Sequence, residues 1–234
     1  MQYIDSKYIW RKLLFCTLCG LYSWVAQAQI ESVSKGDVID INGVKALVFK
    51  ISEDGHGTAI AVKAIRGRKD VWCSKGIKLS MLKMDDEDGI ANTNAIFDFV
   101  KTNKLSISMF PAFEWCQVLG EGWYIPSAKE LKEFVDFYLG NEQEFGWDDE
   151  ADTDLVELSP KIINERIIDA GGQPFSGALI SGNISAGGVF TSTKTNEGKI
   201  LVYQFNEKNK TFQFKEISPK KLDTFTTGRA FFNF

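Results

Sequence analysis

The chain has 234 residues, a formal net charge of −4, four cysteines and a single histidine. An acidic balance without a basic patch excludes nucleic acid as the main partner. Two of the cysteines lie in an N-terminal apolar run, and the two that remain, with one histidine, exclude an ordinary His/Cys zinc site.

Lys7, Arg11 and Lys12 precede an apolar run over 13–25, and Ala26-Gln27-Ala28 follows it with small residues at the cleavage positions. Positive start, short apolar run and small-x-small end are the three parts of a secretory signal peptide. The run falls short of the roughly 20 residues that cross a bilayer. Cys16 and Cys19 lack the preceding small residue of a lipoprotein signal. The reading is therefore a signal peptide over 1–28, a lead over 29–35 and a single domain over 36–234, exported to the periplasm or the cell surface. In an oxidising compartment Cys73 and Cys116 can form a disulfide, and buried thiols are the other option. No other apolar run is long enough to span a membrane.

The domain opens with an N-terminal hairpin region over 36–66. Asn42-Gly43 is a hairpin turn signal, and residues 44–51 are apolar and β-branched. Asp54-Gly55-His56-Gly57 makes a second turn, and 59–65 returns as a strand. His56 sits at that Gly-flanked tip and reads as an exposed turn residue, not as a base. The run Asp85-Asp86-Glu87-Asp88-Gly89 lacks EF-hand spacing and reads as a solvated acidic turn.

Helices are expected over 94–140. Ile96, Phe99 and Val100 share one helical face. Phe110-Pro111 opens the next helix, with Ala112, Trp115, Cys116 and Leu119 in helical spacing and Gly120 as its stop. Ser127 to Glu130 spells a capping box. Leu131, Phe134, Val135, Tyr138 and Leu139 follow as a core stripe closed by Gly140.

A loop insert is expected over 141–188, acidic at its start. Within it, Ser159-Pro160 begins a short helix carrying Ile162, Ile163, Ile167 and Ile168, stopped by Gly171-Gly172. A short strand is expected over 178–180. C-terminal strands fill 189–234: 189–193, then 200–205 and 211–217 around a hairpin turn, and finally 226–234. Strands, then helices, then strands again point to an α+β fold with an antiparallel sheet, two or three packed helices and a long loop insert.

The stretch FPAFEWCQVLGEGWYIPSAKELKEF over 110–134 carries a resemblance. It is similar to a signature in secreted bacterial domains of unknown function, the Fibrobacter-type paralogous domains common in Bacteroidetes. Trp115, Cys116, Leu119, Gly122, Trp123, Tyr124, Pro126, Ser127, Glu130 and Leu131 match that pattern. The resemblance implies a C-type-lectin-like fold, distantly similar to the formylglycine-generating enzyme family. It covers the domain from about Gly36, more weakly at both ends. Phe190 stands where the usual Trp-Ser-Ser-Thr begins. The Glu-Pro-Asn and Trp-Asn-Asp tripeptides of calcium-dependent lectins and the closely spaced cysteine pair of the oxidases are absent, so neither activity is carried over. What carries over is the place of the ligand site, the long insert.

No nucleophile elbow, phosphate loop or dinucleotide fingerprint occurs. The insert offers Trp147, whose indole suits stacking on a sugar or anchoring a protein partner, among Asp148, Asp149, Asp152 and Asp154. Those carboxylates read first as a plain acidic loop; as hard oxygen ligands of the kind calcium takes, they leave a calcium site as the alternative. No cofactor is otherwise called for. Three functions remain in play. One is a secreted, non-enzymatic binding module of the cell envelope for a glycan or protein. Another is a carbohydrate-active enzyme using carboxylates of the insert, which needs a pair held roughly 5–9.5 Å apart across a cleft. The last is a structural or assembly component of the envelope.

Overall fold

Asn42 and Gly43 both take positive φ, 53° and 88°. A two-residue hairpin turn of this hand needs that conformation at both positions. It joins β1 (Val38–Ile41) to β2 (Val44–Ile51), and β3 (Gly57–Ala61) follows. The computed structural model describes residues 33–67, 71–74, 77, 79, 82, 84, 87–140, 158–175, 188–206, 211–222 and 226–234. The predicted leader, the strand over 178–180 and the acidic stretch 141–157 lie outside these residues.

The architecture is α+β, with four helices and two mostly antiparallel sheets among the described residues. One sheet has the order β1-β2-β3-β9, closed by the last strand, β9 (Phe231–Asn233). The other runs β4-β8-β5-β6-β7, formed by β4 (Ile65–Arg66), β5 (Gly188–Lys194), β6 (Ile200–Asn206), β7 (Thr211–Ile217) and β8 (Thr227–Gly228). Among the described residues, only β5 and β8 pair in parallel.

The strand expected over 59–65 is broken after Ala61, and the one expected over 226–234 is broken after Gly228. Each segment passes from one sheet to the other at its break: β3 and β9 pair in the first sheet, β4 and β8 in the second. Arg229 stands at this double crossing. Its side chain is buried, and its Nη1 donates to the carbonyls of Ala61 (3.0 Å) and Val62 (2.8 Å). Nη2 donates to the carbonyls of Gln173 and of Pro174. The ring of Phe175 lies 5.9 Å from the guanidinium. Burial pushes the guanidinium pKa down to about 10, which still leaves it charged at neutral pH. Carbonyl dipoles carry that charge, and the Ala61 and Val62 carbonyls at the first strand break gain a donor.

Helix α1 (Gly89–Thr102) starts five residues ahead of the expected 94, because Asp88 caps it by accepting from the Ala91 nitrogen at 2.9 Å. The acidic run thus ends in an N-cap. Helices α2 (Pro111–Leu119), α3 (Ala128–Leu139) and α4 (Pro160–Asp169) follow the expected stops and starts. Ser127 and Glu130 form both bonds of the capping box, and Gly140 closes α3 with φ of 71°.

The first sheet is buried on both faces. Ala46 and Val48 face a cluster with Trp72, Ile96, Phe113, Cys116 and Phe190, while Leu47 and Phe49 face α3 and α4 through Phe134, Tyr138, Ile163 and Ile167. This two-sided burial explains why residues 44–51 read as a near-continuous apolar run. Two of the apolar helix residues are not enclosed. Trp115 is only half-buried, with Phe113 taking the enclosed position, and Ile168 on α4 points to solvent at 47% exposure. The helical turn places Ile163 and Ile167 inward, and Ile168 lies one residue round the helix from that face.

Candidate functional site

The turn after α2 is built by two glycines in positive φ, Gly120 (126°) and Gly122 (88°). A Cβ at Gly122 would come within 2.7 Å of the Phe232 ring. Trp123 then packs on Phe232 with centroids 5.2 Å apart. The next residues bond successively to different parts of the fold. Tyr124 exchanges both backbone hydrogen bonds with Phe231 of the first sheet, at 3.0 and 2.8 Å. The Ile125 nitrogen donates to Thr93 Oγ1 of α1 at 3.1 Å. The Pro126 carbonyl accepts from the Ser192 nitrogen of the second sheet at 2.8 Å, and the Ala128 nitrogen donates to Thr193 Oγ1 at 2.9 Å. Residues 123–128 therefore join α1, both sheets and α3, and that fixes their position.

The outer side of this corner forms a groove of about 340 Å3 with α1. Ile90, Asn94 and Phe97 of α1 line one wall. Gln117 at the end of α2, Glu121 and the backbone of Gly120 and Gly122 line the other, with Trp123 and Tyr124 at the base. Asn94, Gln117 and Glu121 are exposed, Phe97 is half-buried, and Trp123 and Tyr124 are buried. The Tyr124 hydroxyl donates to Asn233 Oδ1 at 3.1 Å, and burial, with Glu130 nearby, pushes its pKa well up, so it stays a phenol. Val118 beside Gln117 is 77% exposed, the most exposed of the large apolar residues described.

Two other depressions are more open. One, of about 450 Å3, runs along β1 and the end of α4, where Arg166 Nη1 donates to the Gly36 carbonyl at 2.6 Å and lies 3.9 Å from Asp37. The other lies beside His56, which is an exposed turn residue as expected, with Nδ1 3.3 Å from the Phe234 carbonyl oxygen. Ser52, Asp54 and His56 share this tip without forming a relay. The Ser52 hydroxyl donates to Asp54 at 2.5 Å, not to the imidazole, and that bond is the main cause of the lowered Asp54 pKa.

Trp147, Asp148, Asp149, Asp152 and Asp154 lie outside the described residues. Among the described residues no three His, Cys, Asp or Glu side chains converge in a way that suits a metal ion. No helix among them is long and apolar enough to cross a membrane. Cys73 and Cys116 are buried thiols, and burial pushes the Cys116 pKa far up. Buried polar groups cluster where α1 meets the second sheet: Asn92 Nδ2 donates to Ser192 Oγ at 3.1 Å, while Asn92 Oδ1 has no partner among the described residues.

The groove residues Asn94, Phe97, Gln117 and Glu121 were not singled out by sequence. The one available signal was Val118, an apolar side chain off the buried face of α2. Comparison with protein-family models, with curated proteins and with solved structures gives no significant match to this chain.

Proposed function

We propose that the chain is an exported, non-enzymatic binding module of the bacterial cell envelope, with a C-type-lectin-like fold. Its ligand, a glycan or a protein surface, seats in the groove between α1 and the turn after α2. The observation that carries this reading is the fixed position of the base of that groove. Residues 123–128 bond to α1, α3 and both sheets. A site whose base does not reorganise avoids part of the ordering cost of binding. The groove also falls in the size range of small-ligand sites, about 300–1,000 Å3. Export rests on the leader-like residues 1–28, and the lectin-like part rests on the resemblance of residues 110–134. Antiparallel sheets with packed helices are compatible with it.

Two experiments test the reading. N-terminal sequencing of the protein recovered from the periplasm or cell surface should begin at Gln29; recovery of an intact leader in the cytoplasm overturns export. Titration of the isotope-labelled protein with solubilised envelope fractions should move the side-chain amide resonances of Asn94 and Gln117. Shifts confined to other surfaces would remove the groove as the site.

A further inference from the structure

We propose that β1 is a docking edge for a second copy of this chain, and that two copies pair antiparallel about Ile39 to make one continuous sheet. The proposal uses none of the residues of the groove beside α1.

The two ends of the first sheet differ. At β9 the Tyr124 backbone exchanges both hydrogen bonds with Phe231 and covers that side. At the other end of the strand order stands β1. Its register sets Val38 opposite Leu47, Ile39 opposite Ala46, Asp40 opposite Lys45 and Ile41 opposite Val44. The Val48 nitrogen donates to the Asp37 carbonyl at 2.8 Å. Bonded positions alternate along an antiparallel pair. Ile39 and Ile41 therefore bond β2, while Val38 and Asp40 aim their N–H and C=O groups outward. A second bond fixes the same parity. The Val62 nitrogen donates to the Lys45 carbonyl at 3.0 Å, so Lys45, opposite Asp40, bonds towards β3. Among the described residues none bonds the outward groups of Val38 and Asp40. Such a row is a template for another strand.

The row is self-complementary in one register. With a two-fold axis at Ile39, Val38 meets Asp40 of the partner subunit and exchanges both backbone bonds with it. The same exchange repeats across the axis. Ile39 then faces the partner's Ile39 as a non-bonded pair, the arrangement that brings side chains closest. An axis at Asp40 would set two like charges opposite each other. An axis at Val38 would call on Gly36, whose nitrogen is held by the Val48 carbonyl at 2.7 Å and whose carbonyl is held by Arg166.

Side chains favour a copy over a foreign strand. Val38 packs on the α4 side of the sheet, and Asp40, two residues on, shares that face. Arg166 Nη1 bonds the Gly36 carbonyl at 2.6 Å, which sets the guanidinium beside the same edge. Arg166, Val38 and Asp40 line one depression of about 450 Å3, which leaves room along β1. The pairing brings the partner's Asp40 opposite Val38, next to that guanidinium. Asp40 spends Oδ1 on the Gly43 nitrogen at 2.6 Å and keeps its other oxygen for Arg166. Each copy thus supplies one cation and one anion to the seam. The strand is short, so the dimer is weak and depends on concentration.

Sedimentation and amide exchange on the full exported chain, from dilute solution up to about 1 mM, test this. The chain should pass from monomer to dimer. The Val38 and Asp40 amides should slow at least about tenfold over that range, while the Ile39 amide, already bonded to β2, should not change. Asp40→Arg and Arg166→Asp should each weaken the dimer about tenfold, and the double variant should recover it to within about threefold. Recovery separates a contact across the seam from the bonds each residue makes to Gly43 and Gly36. A chain that stays monomeric throughout overturns the proposal. So does a dimer that leaves the Val38 and Asp40 amides fast, or a double variant that recovers nothing. Slowing of those amides only on addition of envelope fractions, with the chain still monomeric, would assign the edge to a foreign strand and overturn the copy.

Discussion

Glu130 on α3 and Gly89 in the first turn of α1 are joined by a hydrogen bond: Glu130 Oε2 lies 2.9 Å from the Gly89 nitrogen. The same oxygen lies 2.7 Å from the Ser127 nitrogen. One carboxylate therefore serves the N-termini of two helices, where backbone N–H groups have no intrahelical partner and negative charge is favoured. It also fixes α1, one wall of the groove, to the helix that follows the other.

Glu130→Ala should therefore cost more than an ordinary capping-box loss, about 2–3 kcal/mol by urea denaturation, since charge-assisted bonds are worth about 1.5–3 each. Glu133→Ala breaks only the exposed pair with Lys50 and should stay within about 0.5 kcal/mol. Gly89→Ala supplies the second arm. Helix propensity alone favours Ala by about 1 kcal/mol, yet a Cβ there would sit 2.5 Å from Glu130 Oε2 and 2.7 Å from the Ile125 carbonyl oxygen. A net loss of stability is expected, and a gain would show that the two helix ends are not locked together.

Local signals were legible where the physics is local. The Ser127–Glu130 box, the Asn42-Gly43 turn and the Gly140 stop all carry their conformation in a few adjacent residues. The joint between Glu130 and Gly89 was not legible, because nothing in either segment names the other. The strand breaks at 62–64 and 229–230 failed for the same reason. An apolar run reads as one strand until a distant buried arginine takes up its carbonyls. At the corner of 120–128 the Gly120 stop and the capping box were legible in the same local way. The corner's outer side becomes a groove only when α1 packs beside it.

Arg229 gathers four carbonyls from two directions, so its flat fork is the property that counts. Arg229→Lys keeps the charge but concentrates its donors at one point, and it cannot serve Ala61 and Pro174 together. The expected loss is about 2–4 kcal/mol, from unmade buried bonds at about 1–3 each. Chemical denaturation measures it. Hydrogen exchange should also quicken at Ala61, whose nitrogen bonds the Ala230 carbonyl beside the crossing. A lysine variant of native stability would mean that charge alone suffices at this position.

Alkaline pH should weaken the fold through three phenols. Burial raises the pKa of Tyr124 and of Tyr138, and raises that of Tyr203 to about 12. In the unfolded chain a tyrosine ionises near 10. A folded-state pKa above the unfolded one means that the contribution is complete below about pH 10 and is lost as pH rises from there towards 12. Urea midpoints at pH 8 and 9.5 should agree closely and the one at pH 11 should be lower, and tyrosinate absorbance should appear together with unfolding. Tyr203→Phe should lessen the fall; an unchanged slope would assign the alkaline loss to other groups.

Phe190 on β5 is tightly confined by its neighbour on β8. Gly228 on β8 lies so close that a Cβ there would overlap the Phe190 ring. Phe190 is fully buried, between the two sheets, in the cluster that contains Trp72 and Phe113. Phe190→Trp adds volume to a site with no slack on the Gly228 side. Overpacking of this kind costs about 1–3 kcal/mol. Gly228→Ala pushes on the same contact from the other strand and should destabilise as well. Because both changes strain one contact, the double variant should depart from additivity. A double-mutant cycle in urea measures the coupling. Simple addition of the two losses would mean that Phe190 and Gly228 do not constrain each other.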